Sequence, residues 1–189
     1  MSPEIAIYTV WAVWAVSWWG AAFWTNKTVG RPEAGSQFFY RAMTVGGAIL
    51  LFGINPRDPD SRWQLWHSGP TFAWAMVGLA IAGMAFAWWA RLHLGRLWSA
   101  SVTKKTDHHV IDTGPYGLVR HPIYTGIIAA SLAVVLLKGT SIALAGAALM
   151  TVGWYIKARL EERFLRQELG ADAYDAYSRR VAMLVPFIA

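Results

Sequence analysis

The chain has 189 residues, of which 56% are drawn from Ala, Val, Ile, Leu, Met, Phe, Trp, Tyr and Cys, and only 15% are charged. An ordinary soluble domain carries roughly 25% charged residues, so this composition excludes a disordered chain and argues against a water-soluble globule. Lys and Arg outnumber Asp and Glu by 17 to 11, and cysteine is absent, which removes disulfides, thiolate nucleophiles and Cys-ligated metals.

Five apolar stretches follow one another along the chain, to be measured against the roughly 17–25 residues that a membrane-crossing helix needs. Residues 5–24 carry no charge, and the lack of a basic leader favours a retained span over a signal peptide. Residues 38–54 are shorter and hold Arg41, whereas 68–90 are long and uncharged. Residues 123–137 and 140–156 are separated only by Lys138-Gly139 and read as a helical hairpin. The expected fold is therefore all-α. It is a polytopic membrane bundle with about five transmembrane helices, a C-terminal hairpin and an interfacial C-terminal helix. Residues 1–189 form one integral-membrane domain, with three spans in 1–92 and a cofactor-binding loop, the hairpin and a tail in 93–189.

Five spans would put fourteen of the seventeen basic residues on one side, leaving only Arg57, Arg62 and Lys138 on the other. The excess of Lys and Arg in cytoplasmic loops then assigns the 91–121 loop and the C-terminus to the cytoplasm. Trp11, Trp14 and Trp18 form a helical stripe, read as packing or lipid contact, with a substrate wall as the alternative. Gly78, Ala82, Gly83, Gly146 and Ala147 would permit close helix approach.

Polar chemistry gathers in the 91–121 loop, which holds His93, His108, His109 and His121 together with Asp107 and Asp112. A metal site is not expected. The two central histidines are adjacent, and no His-Glu-x-x-His pattern occurs. Gly-x-Gly-x-x-Gly and P-loop patterns are also missing, so a nucleotide-like cofactor would not be held in a Rossmann or Walker manner. Gly114-Pro115-Tyr116-Gly117 reads as a tight turn, and Pro122 as the first residue of a helix. Arg120 and His121 then stand at the positive end of a helix dipole, suited to a carboxylate. The alternative is that Arg120 reaches lipid phosphate while His121 only caps the helix. Farther on, Glu161 and Glu162 continue the last span. They read either as solvated partners, with Glu162 pairing to Arg166, or as an anion turned toward the loop.

The segments 94–99, 108–116, 119–126 and 161–165, continued by 170–177 and 185–186, resemble the isoprenylcysteine carboxyl methyltransferase family of integral-membrane methyltransferases. This resemblance implies S-adenosylmethionine (SAM) as cofactor, with S-adenosylhomocysteine as product and no metal. It implies a cofactor pocket of His108, Val110, Ile111, Gly114, Tyr116, Arg120, His121, Tyr124 and Glu162. Arg120, Glu162 and Glu161 are the implied catalytic residues. Asp112 and His109 depart from the family pattern. Tyr116 or Trp98 would stack on adenine, and Glu161, His109 or Asp112 would serve as base for an acceptor that must lose a proton. The implied partners are membrane lipids and a lipophilic small-molecule or lipidated acceptor arriving from the bilayer, with no nucleic acid. Alternative activities are a phospholipid N-methyltransferase, an NADPH-dependent sterol-reductase-like enzyme and a non-catalytic membrane scaffold.

Overall fold

The computed structural model describes residues 1–24, 28–30, 34–53, 62–95, 98, 104–105 and 111–186. Helix boundaries follow local chemistry closely. Helix α1 (Pro3–Ala21) starts on Pro3, and the hydroxyl of Ser2 accepts from the Ile5 amide at 3.4 Å. Helix α2 (Ala34–Ala48) runs into a π-helical turn at Ile49–Gly53. Helix α3 (Pro70–Leu94) again opens on proline and stops at Gly95, whose φ is 57°. Helices α4 (Pro122–Lys138) and α5 (Ser141–Leu169) form the expected hairpin. Gly139 turns the chain with φ 62°, and the Thr140 hydroxyl caps α5 by accepting from the Ala143 amide at 3.2 Å. Helix α6 (Ala171–Arg180) follows Gly170 and buries Tyr174 and Tyr177 against Leu165 of α5.

The bundle is built from two close seams, α3 on α4 and α2 on α5, with α1 laid along α3. Glycine makes both seams possible. A Cβ on Gly126 would strike the Gly83 carbonyl, and one on Gly146 would lie 2.7 Å from the Gly47 carbonyl. Ala147 is buried as expected, but Gly78 and Ala82 face outward and take no part in a seam. The tryptophan stripe packs: Trp11, Trp14 and Trp18 lie partly buried against the core, with Phe52, Trp88 and Trp98 as ring neighbours. Fully buried Arg91 ties α1 to α3 by donating to the carbonyls of Ala21 at 2.8 Å, Trp24 at 2.7 Å and Gly95 at 2.6 Å.

Two sets of contacts define the ends of the bundle. At one end, a short antiparallel pair joins β1 (Thr28–Gly30) to β2 (Lys104–Lys105), so these two loops lie on the same face. At the other, Trp63, Gln64 and Leu65 bond to the α4–α5 turn. Leu65 N donates to Gly139 O at 2.7 Å, and Ser141 N donates to Trp63 O at 2.9 Å.

The all-helical class holds, but the count of five spans is not established. Among the described residues two helices, α3 and Ser141–Glu168 of α5, are long and apolar enough to cross a membrane. Helix α2 has 15 residues and α4 has 17, both short for bilayer thickness. Helix α1, with 19 residues, carries four tryptophans, residues typical of the interface.

Candidate functional site

The start of α4 and the emerging part of α5 carry the densest polar cluster. Gly114–Gly117 forms one turn of 3₁₀ helix, entered through Gly114 at φ 57°, where a Cβ would press on the His93 ring at 2.8 Å. The chain then runs beside the C-terminal tail. Arg120 N donates to Ala182 O at 2.8 Å, and His121 N to Met183 O at 3.1 Å. Pro122 takes the first helical position and His121 becomes the N-cap residue, as its place in the sequence predicts.

The imidazole of His121 does not cap the helix. It turns inward, 7% exposed, and presents both ring nitrogens to α5: Nε2 lies 3.2 Å from Glu162 Oε1 and Nδ1 3.7 Å from Glu161 Oε2. Arg120 donates through Nε to Glu162 Oε1 at 2.7 Å. Its Nη1 reaches the carbonyl of Ser178 at 2.9 Å and also that of Val181. The C-terminal segment thus fixes the guanidinium from behind, and the carboxylate fixes it from the front. Glu162 therefore pairs across helices rather than with Arg166, which instead grips Asp175 of α6 with two 2.8 Å bonds. An exposed i, i+4 pair contributes only about 0.3–0.5 kcal/mol, so a partly buried charge-assisted bond outcompetes it.

Burial alone would raise the Glu162 carboxyl. Hydrogen bonds from His121 and Arg120, and the charges of both, outweigh burial and hold it at about 2. Glu162 is thus a fixed anion at neutral pH and is unsuited to act as a general base. Glu161 is built differently. Its carboxylate accepts from the Tyr124 hydroxyl at 2.7 Å and lies 3.8 Å from Lys157 Nζ. Tyr124 is stacked between His121, at 5.4 Å and 7°, and Trp154, at 4.9 Å and 22°.

Sequence reasoning treated Lys157 only as a topology charge and gave Tyr40 and Trp154 no role here. Lys157 is 6% exposed, and its ammonium lies over the rings of Tyr40, Tyr124 and Trp154 at 5.8, 5.2 and 5.4 Å. The i, i+4 spacing of Lys157 and Glu161 was visible, but the aromatic box depends on α2 and α4 and leaves no local trace.

Arg120, His121, Tyr124, Glu161 and Glu162 are therefore assembled in one place. Tyr116 lies nearby, buried, with its ring stacked on His93 at 6.3 Å and its carbonyl accepting from Tyr177 Oη at 2.8 Å. Burial pushes the Tyr116 phenol well above its ordinary range, so it remains neutral. Ile111 packs on the main core. His108, His109 and Val110 lie outside the described residues. Asp112 forms a surface pair with Arg180 at 3.1 Å. Trp98 is buried edge-on to Trp18 at 5.6 Å, with the Arg91 guanidinium 4.4 Å from its ring centroid.

All five clustered residues fall inside residues 76–167, which match the isoprenylcysteine carboxyl methyltransferase family model. Over that segment, just under half of the chain, the protein is similar to this family. Two curated relatives extend the likeness over more of the chain. A methanethiol S-methyltransferase 1 of Bradyrhizobium diazoefficiens is 28% identical over 174 residues, covering 87% of this chain and 58% of its own. The cobalt-zinc-cadmium resistance protein CzcN of Cupriavidus metallidurans is 29% identical over 150 residues, covering 74% of this chain and 57% of its own. The chain thus spans less than two thirds of the length of either relative.

Proposed function

We propose that the protein is a membrane methyltransferase that takes its methyl group from SAM and passes it to an apolar nucleophile, a small thiol first among them. The observation that carries this reading is the partly buried Arg120–Glu162–His121 constellation at the head of α4, inside the matched segment. Its donor set suits the charged end of SAM. Arg120 and His121 would hold a carboxylate, Glu162 and Glu161 an ammonium or ribose hydroxyls, and the Gly-Pro-Tyr turn would offer backbone contact. When bound, SAM supplies an electrophilic methyl group on a sulfonium centre.

The chain's own residues supply position and exclusion of water. Glu162 stays ionised and, with Arg120 clamped by Ser178 and Val181, gives the site a rigid charge pattern. An acceptor thiol, with a reference pKa of about 8.5, must lose a proton before attack. Glu161 is the candidate acceptor of that proton, since its carboxylate is held by Tyr124 and Lys157 rather than by the Arg120 pair. The thiol preference comes from the printed name of the Bradyrhizobium relative. A carboxylic-acid acceptor, as in the family's name, would need no base.

Calorimetric titration of the detergent-solubilised protein tests the cofactor. S-adenosylhomocysteine should bind to the wild type and lose its affinity in Glu162→Gln. Absence of binding to a folded sample, or binding of NADPH in its place, would overturn the reading. Labelled SAM offered with methanethiol or a membrane lipid extract then separates acceptors. A thioether retains its label in base, whereas a methyl ester releases labelled methanol.

A further inference from the structure

Between α5 and α6 lies a groove of about 270 Å³ whose charged lining sets Arg120, Arg159, Arg163 and Arg166 against Glu162 and Asp175. Arg159, Arg163 and Arg166 follow the i, i+4, i+7 spacing that places side chains on one helix face. Their partners within the protein leave positive charge over. Arg120 faces Glu162 at 2.7 Å, Arg159 lies 4.0 Å from the same carboxylate, and Arg166 is held by Asp175. Arg163 has no ion-pair partner among the described residues. Four guanidinium groups against two carboxylates leave a formal +2.

The depth of this charge is informative. The apolar run of α5 ends at Ile156, so Arg159 and Arg163 stand about 4.5 and 10.5 Å farther along the helix axis at 1.5 Å per residue. The polar layer of a bilayer is about 5–7 Å thick on each side, so Arg159 stands within it and Arg163 just beyond it. Guanidinium forks match the oxygens of a phosphate.

We propose that this groove, whose inner wall is shared with the site through Arg120 and Glu162, binds the phosphate of an anionic phospholipid headgroup at its Arg159 and Arg163 wall and holds α6 against the membrane face. The inference rests on the membrane placement of α5 and does not depend on methyl transfer. Free phosphate shares the headgroup's chemistry but lacks its acyl chains, so the test separates the two.

The solubilised protein is titrated by calorimetry with short-chain phosphatidylglycerol, short-chain phosphatidylcholine and inorganic phosphate. Phosphatidylglycerol should bind more tightly than the other two. Arg159→Gln and Arg163→Gln, both at exposed side chains, should each weaken it roughly fivefold, and added salt should weaken it further. Arg179→Gln, on α6 but outside the groove, should leave affinity unchanged. An equal loss in Arg179→Gln would mean unspecific charge attraction and overturn the proposal. So would equal affinity for inorganic phosphate or no preference over phosphatidylcholine.

Discussion

Glu162 would, on an isolated helix, share its charge with Arg166 one turn farther on. In the bundle it turns instead to Arg120 and His121, which arrive from α4. This inversion makes a testable pH dependence. The carboxyl is held at about 2, against an ordinary value of 4.5, so its contribution to stability is complete above about pH 4.5. It is lost as pH falls through about 2. Glu162→Gln should cost roughly 1.5–3 kcal/mol at neutral pH, the usual loss for a charge-assisted bond, and the difference from wild type should shrink below pH 4.5. Thermal unfolding of both proteins between pH 2 and 7 measures this. A difference that stays constant across that range would show that the charge contributes nothing. Lys157 gives a second prediction at this scale. Lys157→Met keeps the stem and removes the ammonium, and should lower stability by about 1–2 kcal/mol, the value of a desolvated cation over aromatic rings. Loss equal to that of Lys157→Arg in the same unfolding assay would point to packing alone. Arg120, His121, Tyr124 and both glutamates were legible as candidates because turn chemistry and family pattern mark them. Which glutamate does what was not, since that depends on the angle between α4 and α5.

At the scale of elements, the sequence is legible where punctuation is local, as at Pro122 and at the Lys138-Gly139 break between α4 and α5. Pro3, Pro70 and Pro122 open helices, and Gly95, Gly139 and Gly170 close them. It was read less well where small residues are ambiguous. Gly78 and Gly83 look alike as letters five positions apart, yet only Gly83 meets another helix. Gly126 was passed over although it forms the other half of that seam. Gly126→Ala should force α3 and α4 apart, because its Cβ would meet the Gly83 carbonyl and lie 3.0 Å from the Ala87 amide. Overpacking of this kind costs about 1–3 kcal/mol. Gly78→Ala, with open space around its Cβ, should be neutral or stabilising by a few tenths of a kcal/mol through helix propensity. Melting temperatures in one detergent compare the two. Equal effects would deny the seam its role in setting the approach of α4, and with it the position of Arg120 and His121.

For the whole molecule, charge and contacts divide the bundle in the same way. The 28–30 and 104–105 strands and the Val119–Ala182 bridge gather three segments at one end, while Gln64 bridges to Thr140 at the other. Three of the seventeen basic residues are better counted as internal. Arg91 ties α1 to α3, Lys157 fills the aromatic box, and Lys138 donates to the Leu51 carbonyl at 2.8 Å. With five spans, setting these three aside would leave twelve basic residues on one side against Arg57 and Arg62, so the expected asymmetry survives the correction. The positive-inside rule then predicts that the crowded end, with the Arg120–Glu162 site, faces the cytoplasm. The absence of cysteine allows single introduced thiols to report on this without background. Arg62→Cys and Arg179→Cys both change exposed side chains at opposite ends. A membrane-impermeant maleimide should label Arg62→Cys in intact cells and Arg179→Cys only after permeabilisation. The reverse pattern would invert the orientation and place the site outside. Labelling of both from the same side would contradict a bundle whose two ends lie across a membrane, and the cofactor would then have to be sought on a different face.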